Sequence, residues 1–254
     1  MTALPHRLDR EIEIAARPET VFRFFTDPAR WASWWGTGST IEPSRGGRVR
    51  IRYPEGTEVA GEVVGIDPPR EIAFTYGYVS GTPIPPGGSL VTIHVSPSPA
   101  GARVRLTHEL ADAAVRDQHV QGWRYQLSLF ANVVAADVAA GVAESVDVWL
   151  SAWAEPDEAV RRRMLERVAE PDVRVRDRFS ALAGLDEVMP HISAALHHMP
   201  GIRLERRGDV RQCQGTVLAD WQAVGADGRP VGSGTNVCQL SPDGRFTSVT
   251  GVWN

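Results

Sequence analysis

The chain has 254 residues, 43% of them hydrophobic and 23% charged, with a formal net charge of −4 at pH 7. That balance is ordinary for a folded globular protein, argues against extended disorder, and leaves no global attraction for nucleic acid. All 27 basic residues are arginine, so Schiff-base chemistry, pyridoxal attachment and a Walker-type phosphate lysine are excluded, since each needs a lysine amine.

In chain order, Arg10-Glu11-Ile12-Glu13-Ile14 alternates charged and apolar residues and predicts a strand with one buried face. Pro18 opens a short helix with an apolar stripe of Val21, Phe24 and Phe25. Asp27-Pro28 then gives an N-cap and first-turn pair for a second helix carrying Trp31, Trp34 and Trp35. Strands are predicted over 48–53, 58–64, 71–78, 90–95 and 103–108, divided by glycine and proline turns such as Ile66-Asp67-Pro68-Pro69-Arg70. A long amphipathic helix is predicted to open at His119. Trp123, Leu127, Phe130, Val134 and Val138 form its buried face, with Arg124, Gln126 and Asp137 off it.

The order of elements restarts near Gly141. Val142, Val146, Trp149 and Trp153 repeat at helical spacing, and Pro156-Asp157-Glu158 begins a helix through Val168. A strand follows through Val173, Val175 and Asp177, then a helix over 184–199 and strands over 202–206, 210–224, 231–240 and 246–253. Asp227-Gly228 and Asp243-Gly244 suit hairpin turns. At 254 residues the chain exceeds the common domain size of about 100–150, and two domains are expected, 1–140 and 141–254.

Resemblances support this division. Arg17-Pro18-Glu19-Thr20-Val21-Phe22, Thr26-Asp27-Pro28 with Trp34-Trp35, Gly46-Gly47, Ile66 to Arg70, Thr107-His108-Glu109 and His119 with Gly122-Trp123 stand in the chain in that order. In them the first half resembles the SRPBCC (Bet v 1/START-like) helix-grip superfamily, and within it the activator of Hsp90 ATPase homologue type. The resemblance implies an antiparallel sheet around a long C-terminal helix, with an apolar ligand held between them. Eukaryotic Hsp90 activators also carry a separate N-terminal Hsp90-binding domain that has no counterpart here, so co-chaperone activity is not expected. The second half resembles the SnoaL-like branch of the NTF2-like superfamily through Asp177, Gly184 and the helix after it, Gly232 to Asn236, and Asp243 to Val249. The implied fold class is α+β, a helix-grip followed by an NTF2-like cone, and the SnoaL-like branch includes cyclases, isomerases and plain binding domains.

His119 and Trp123, one helical turn apart, place an imidazole beside an indole wall, which suits acid-base work or anchoring of the helix start. Asp177 continues the Val173/Val175 alternation, and burial inside a cone would raise its pKa towards a range useful for proton abstraction. Asn236 stands where the resemblance more often has an acid, and an amide exchanges no proton at neutral pH. The expected ligand-contacting set is Trp34, Trp35, Phe74, Tyr76, His108, His119, Trp123, Leu127, Asp177, Trp221 and Asn236, with Asp177 and His119 as the catalytic candidates. His191 and His198 share a helical face and are expected at the surface or packed at a helix end. Arg161-Arg162-Arg163 is expected on a solvated face or at an inter-domain contact.

Cys213 and Cys238 form no disulfide framework or metal-ligand spacing, and the glycine pairs are not phosphate loops. No metal or cofactor is therefore expected. No apolar run approaches the roughly 20 residues that cross a bilayer, and the N-terminus lacks a signal-peptide pattern. The expectation is a bacterial-type cytoplasmic protein without nucleic-acid or membrane partners. Its expected role is to bind a small hydrophobic or aromatic molecule, chiefly in the first domain, and two copies are expected to pair through the C-terminal sheet. A polyketide cyclase-like or isomerase-like enzyme using Asp177 or His119, and a chaperone-linked interaction module, are the alternatives.

Overall fold

The computed structural model describes residues 3–254. The chain divides into two compact units, the first ending at Val134 and the second covering Ala135–Asn254.

The first unit begins with β1 (His6–Ile14), followed by α1 (Pro18–Arg23) and α2 (Pro28–Trp35). Asp27 caps α2 by accepting from the amides of Ala29 and Arg30, at 2.9 and 3.0 Å, and Pro28 fits the first turn, where no amide partner is needed. Six strands follow: β2 (Thr40–Ile41), β3 (Arg48–Arg52), β4 (Glu58–Asp67), β5 (Glu71–Tyr78), β6 (Ser89–Ser98) and β7 (Gly101–Leu110). They form one seven-stranded sheet in the order β1-β7-β6-β5-β4-β3-β2, antiparallel throughout. Alternation on these strands buries one face, as Val49 and Ile51 show between exposed arginines.

The long helix, α3 (Ala113–Val138), starts six residues before the expected His119. Asp112 caps it, its carboxylate accepting from the amide of Val115 at 2.9 Å. His119 therefore lies inside the helix and is not its cap. Trp123, Leu127, Phe130 and Val134 are buried as expected, while Val138 is half-buried. Gln126 was expected off the buried face but is 6% exposed, because its side-chain amide donates to the backbone carbonyl of Trp34. Phe130 is the hub of the core, stacked on Phe25 at 5.0 Å and meeting Trp34 edge-on at 4.8 Å and Phe24 at 5.9 Å.

The second unit contains α4 (Val142–Ala152), α5 (Glu158–Val168), β8 (Ala169–Arg176), β9 (Ala181–Ala183) and α6 (Leu185–His198). It ends with β10 (Arg203–Cys213), β11 (Thr216–Val224), β12 (Pro230–Leu240) and β13 (Phe246–Trp253). The sheet order is β10-β11-β12-β13-β8-β9, with β13 and β8 parallel and the other pairs antiparallel. The helices cover a core that includes Trp149, Leu165, Val188, Ile192, Val217 and Phe246.

Two expectations about this unit are corrected. The strand break expected near 207–209 is a bulge within β10, where Gly208 takes φ +68 and the register shifts between Arg207 and Arg211. The true turn is Gln214-Gly215, both residues at positive φ between paired Cys213 and Thr216, a two-residue hairpin loop built without the usual asparagine or aspartate. Arg161 is not solvated but 1% exposed. Its guanidinium donates to the Glu155 carbonyl and to Ser193 Oγ, both at 2.6 Å, tying α5 to the preceding loop and to α6. Arg162 pairs instead with Asp186 at 3.2 Å.

Candidate functional site

Each unit contains a cavity. The cavity of the first unit has a volume of about 1060 Å³ and lies between α2, β5 and α3 together with the loops after β3 and β5. Alternation on β5 puts Phe74, Tyr76 and Tyr78 on one face, and the four-residue step on α3 puts His119 and Trp123 on another. Of the expected ligand-contacting set, Trp34, Trp35, Tyr76, His119 and Trp123 line the cavity. Phe74, His108 and Leu127 do not reach it. Phe74 packs edge-on against Trp31 at 5.7 Å, and all three are buried behind the wall.

His108 nevertheless organises the wall. Trp123 Nε1 donates to His108 Nδ1 at 3.0 Å, and Ser89 Oγ donates to the Tyr76 carbonyl at 2.8 Å. With the serine proton committed there, His108 Nε2 must be the donor in its 2.8 Å bond to Ser89 Oγ, which assigns the neutral Nε2-H tautomer. Burial, aided by neighbouring His119, pushes the His108 pKa down to about 3, so this imidazole stays neutral and acts as a strut for Trp123.

His119 is set differently. Its Nδ1 donates to the Val115 carbonyl at 2.7 Å, leaving Nε2 to accept from the Tyr78 hydroxyl at 3.1 Å. Tyr53 and Tyr76 share a second hydroxyl contact at 3.2 Å, and burial raises both phenol pKa values, which keeps these groups as neutral donors and acceptors. Tyr53, Tyr78, Tyr125 and Gln126 also line the cavity and were not in the expected set. Tyr78 was legible in principle, since it stands two residues from Tyr76 on one strand. The others come from loops or from exceptions to the helical pattern.

The cavity of the second unit is about 570 Å³. Asp177, Trp221 and Asn236 of the expected set line it, joined by Trp149, Trp153, Phe179, His191, His198 and Trp253. Asp177 stands just beyond the end of β8, in a turn where its Oδ1 accepts from Phe179 N at 2.7 Å and Ser180 Oγ at 2.9 Å. It is half-buried and not the deeply enclosed acid that strand alternation suggested. Asp220, on the opposite face from Trp221, accepts from Thr235 Oγ1 at 2.6 Å. His191 and His198 also line the cavity instead of merely packing at a helix end, with His191 edge-on to Trp153 at 5.8 Å.

The polar floor of this cavity centres on Gly251. A Cβ there would lie 3.3 Å from Asp177 Cβ and 3.4 Å from Asn236 Oδ1, so the absence of a side chain keeps the two groups' shared space open. Asn236 is only 8% exposed and its side chain has no hydrogen-bond partner among the described residues. The indole nitrogens of Trp153, Trp221 and Trp253 are likewise buried without partners. In the first unit Trp31 and Trp34 donate to backbone carbonyls and Trp123 donates to His108, while the Trp35 indole nitrogen is also buried without a partner among the described residues.

Among the described residues no group of three His, Cys, Asp or Glu side chains could hold a metal ion, and no single helix is long and apolar enough to cross a membrane.

A family model described as activator of Hsp90 ATPase homolog 1-like protein matches residues 15–135. No curated protein matches the chain. Among solved structures, an AHSA1 protein from Silicibacter pomeroyi is 29% identical, with coverage of 50% of this chain and 95% of that one and a TM-score of 0.42. A structure titled as a putative isomerase of the SnoaL-like family from Agrobacterium tumefaciens is 26% identical, with coverage of 44% of this chain and 95% of that one and a TM-score of 0.42. The Aha1 protein of Colwellia psychrerythraea, whose solution structure is of a dimer, is 17% identical over 48% of this chain and 90% of that one, with a TM-score of 0.42. The first unit is thus similar to the activator of Hsp90 ATPase homologue 1-like members of the SRPBCC superfamily.

Proposed function

We propose that the protein binds a small apolar or aromatic molecule in the cavity of its first unit, with residues 1–140 acting as the main ligand-binding domain and 141–254 as a second pocket domain. The observation that carries this reading is the 1060 Å³ space walled by Trp34, Trp35, Tyr76 and Trp123, with Tyr53, Tyr78 and His119 supplying a few polar contacts. A mostly apolar wall with sparse, oriented polar groups is what a small-molecule pocket requires, since ring burial supplies affinity and the hydroxyls set orientation. Native mass spectrometry of protein purified from its own host, followed by denaturing extraction, tests it. A stoichiometric organic molecule is expected. An empty protein that also binds no apolar or aromatic compound from a panel overturns the reading in favour of an interaction module.

A second reading concerns the smaller cavity. Asn236 offers an unpartnered amide beside Asp177, whose Oδ2 accepts no hydrogen bond among the described residues. That pair supports an isomerase-like or cyclase-like step in which Asp177 removes a proton next to a carbonyl and Asn236 donates a hydrogen bond to the carbonyl oxygen. Exchange of the α-protons of 2-tetralone in D2O, followed by NMR, is expected with the wild type and not with Asp177→Asn. Equal exchange by both proteins removes Asp177 from the step.

Pairing of two copies through the second sheet is supported by Val252, which is 54% exposed on β13 and does not line the cavity. Sedimentation showing a monomer at micromolar concentration contradicts it.

A further inference from the structure

We infer that the cavity of the first unit selects an organic cation, an aromatic or apolar amine, over an anion of the same skeleton. The inference rests on the proposed reading of this cavity as a ligand site and names the class of ligand it takes.

The chain carries 27 arginines, yet none lines this cavity. Arg48, Arg50 and Arg52 of neighbouring β3 are engaged elsewhere, with Glu42 at 3.1 Å and with Glu58 at 2.8 and 3.5 Å. A carboxylate, phosphate or sulfate entering the cavity would lose its water without meeting a cationic partner, and an unpaired ion in a desolvated site is strongly disfavoured. The second cavity differs, since Arg176, His191 and His198 are among its lining residues.

What the wall contains favours the opposite charge. Seven aromatic side chains line it: Trp34, Trp35, Tyr53, Tyr76, Tyr78, Trp123 and Tyr125. Edge-to-face packing of Trp35 against Tyr53 at 5.9 Å and against Trp123 at 5.7 Å, and of Tyr76 against Tyr78 at 5.8 Å, turns neighbouring rings roughly perpendicular to one another. Rings at such angles wall a volume from several sides, and their faces attract a cation through the ring quadrupole. Glu55 is the one carboxylate among the lining residues; the Tyr53 phenol pKa is raised chiefly by burial, with the Glu55 charge adding in the same direction. His119 has both ring nitrogens engaged within the protein, Nδ1 with the Val115 carbonyl and Nε2 with the Tyr78 hydroxyl.

The test compares three probes that differ in one group, 2-naphthylmethylammonium, 2-naphthalenemethanol and 2-naphthoate, titrated against tryptophan fluorescence at pH 7.5. The amine is expected to bind at least about tenfold more tightly than the carboxylate, with the alcohol between them. Gly122→Trp, which places an indole into the same cavity, is expected to abolish amine binding, and Glu55→Lys, at an exposed position, to narrow the amine-carboxylate gap. Carboxylate binding as tight as amine binding, or a gap that Glu55→Lys leaves unaltered, overturns the inference while leaving the cavity a ligand site. Failure of all three probes to bind overturns both.

Discussion

The two cavities differ in how far their polar groups are matched within the protein. Around the first, the indole of Trp123 and the imidazoles of His108 and His119 each have a protein partner, and one indole nitrogen, that of Trp35, is buried without one among the described residues. In the second, three buried indole nitrogens and the Asn236 amide have none among the described residues. A buried donor without an acceptor costs about 1–3 kcal/mol, so the second wall, with three such indoles against one, carries the larger standing cost. The difference teaches that the first cavity is the more pre-organised, with Trp34, Trp123 and His119 held by their own bonds, whereas the second leaves more groups that a bound acceptor or a shifted side chain would satisfy.

The largest expected effect tests whether the first unit depends on its aromatic hub. Phe130→Ala empties the space shared by Phe24, Phe25 and Trp34 and is expected to cost about 3–5 kcal/mol. Urea unfolding of this variant should separate into an early transition of the first unit and a later one of the second. A single unshifted transition would show that the hub contributes little.

Acid is expected to act selectively as well. His108 has a pKa of about 3 when folded, against 6.5 for an unperturbed histidine. The unfolded chain therefore takes up a proton that the folded one refuses. The neutral imidazole's contribution is fully present above pH 6.5 and is lost as the pH falls from 6.5 to about 3, at about 1.4 kcal/mol per pH unit. His108→Gln should flatten this part of the stability profile, measured by urea midpoints at successive pH values. An unchanged slope would place the acid sensitivity elsewhere.

Smaller effects sharpen the contrast. Gly122 lies inside α3 and a Cβ there meets no atom within 4 Å, so Gly122→Ala should stabilise the protein by up to about 1 kcal/mol in thermal unfolding. A loss of stability would mean that the space is not open. Cys238 is buried with its thiol pKa pushed up to about 12, while Cys213 is exposed. Iodoacetamide at pH 8 should therefore modify Cys213 and spare Cys238 in a peptide map.

Much of this arrangement was legible in the chain, and the exceptions have physical reasons. Periodicity located both helical faces and most strands, because burial on one side imposes spacing. It misplaced the start of α3, since Asp112 supplies an N-cap ahead of Ala113-Ala114-Val115, which carries little amphipathic signal. It put Gln126 outside because a polar residue's burial depends on a partner distant in sequence, here the Trp34 carbonyl. Phe74, His108 and Leu127 were expected at the ligand and stand behind it, since pattern shows which face is inward but not how deep the space extends. Tyr53 continues the Val49/Ile51 alternation just past the end of β3, so its inward side was legible, but the extent of the cavity beyond the strand was not.

The most direct test of the account is native mass spectrometry of the host-purified protein in two cavity-filling variants, Gly122→Trp in the first unit and Gly251→Val in the second. The account predicts that the co-purifying small molecule is lost from Gly122→Trp and retained by Gly251→Val. Retention by Gly122→Trp with loss from Gly251→Val would contradict it and make the smaller cavity the principal site.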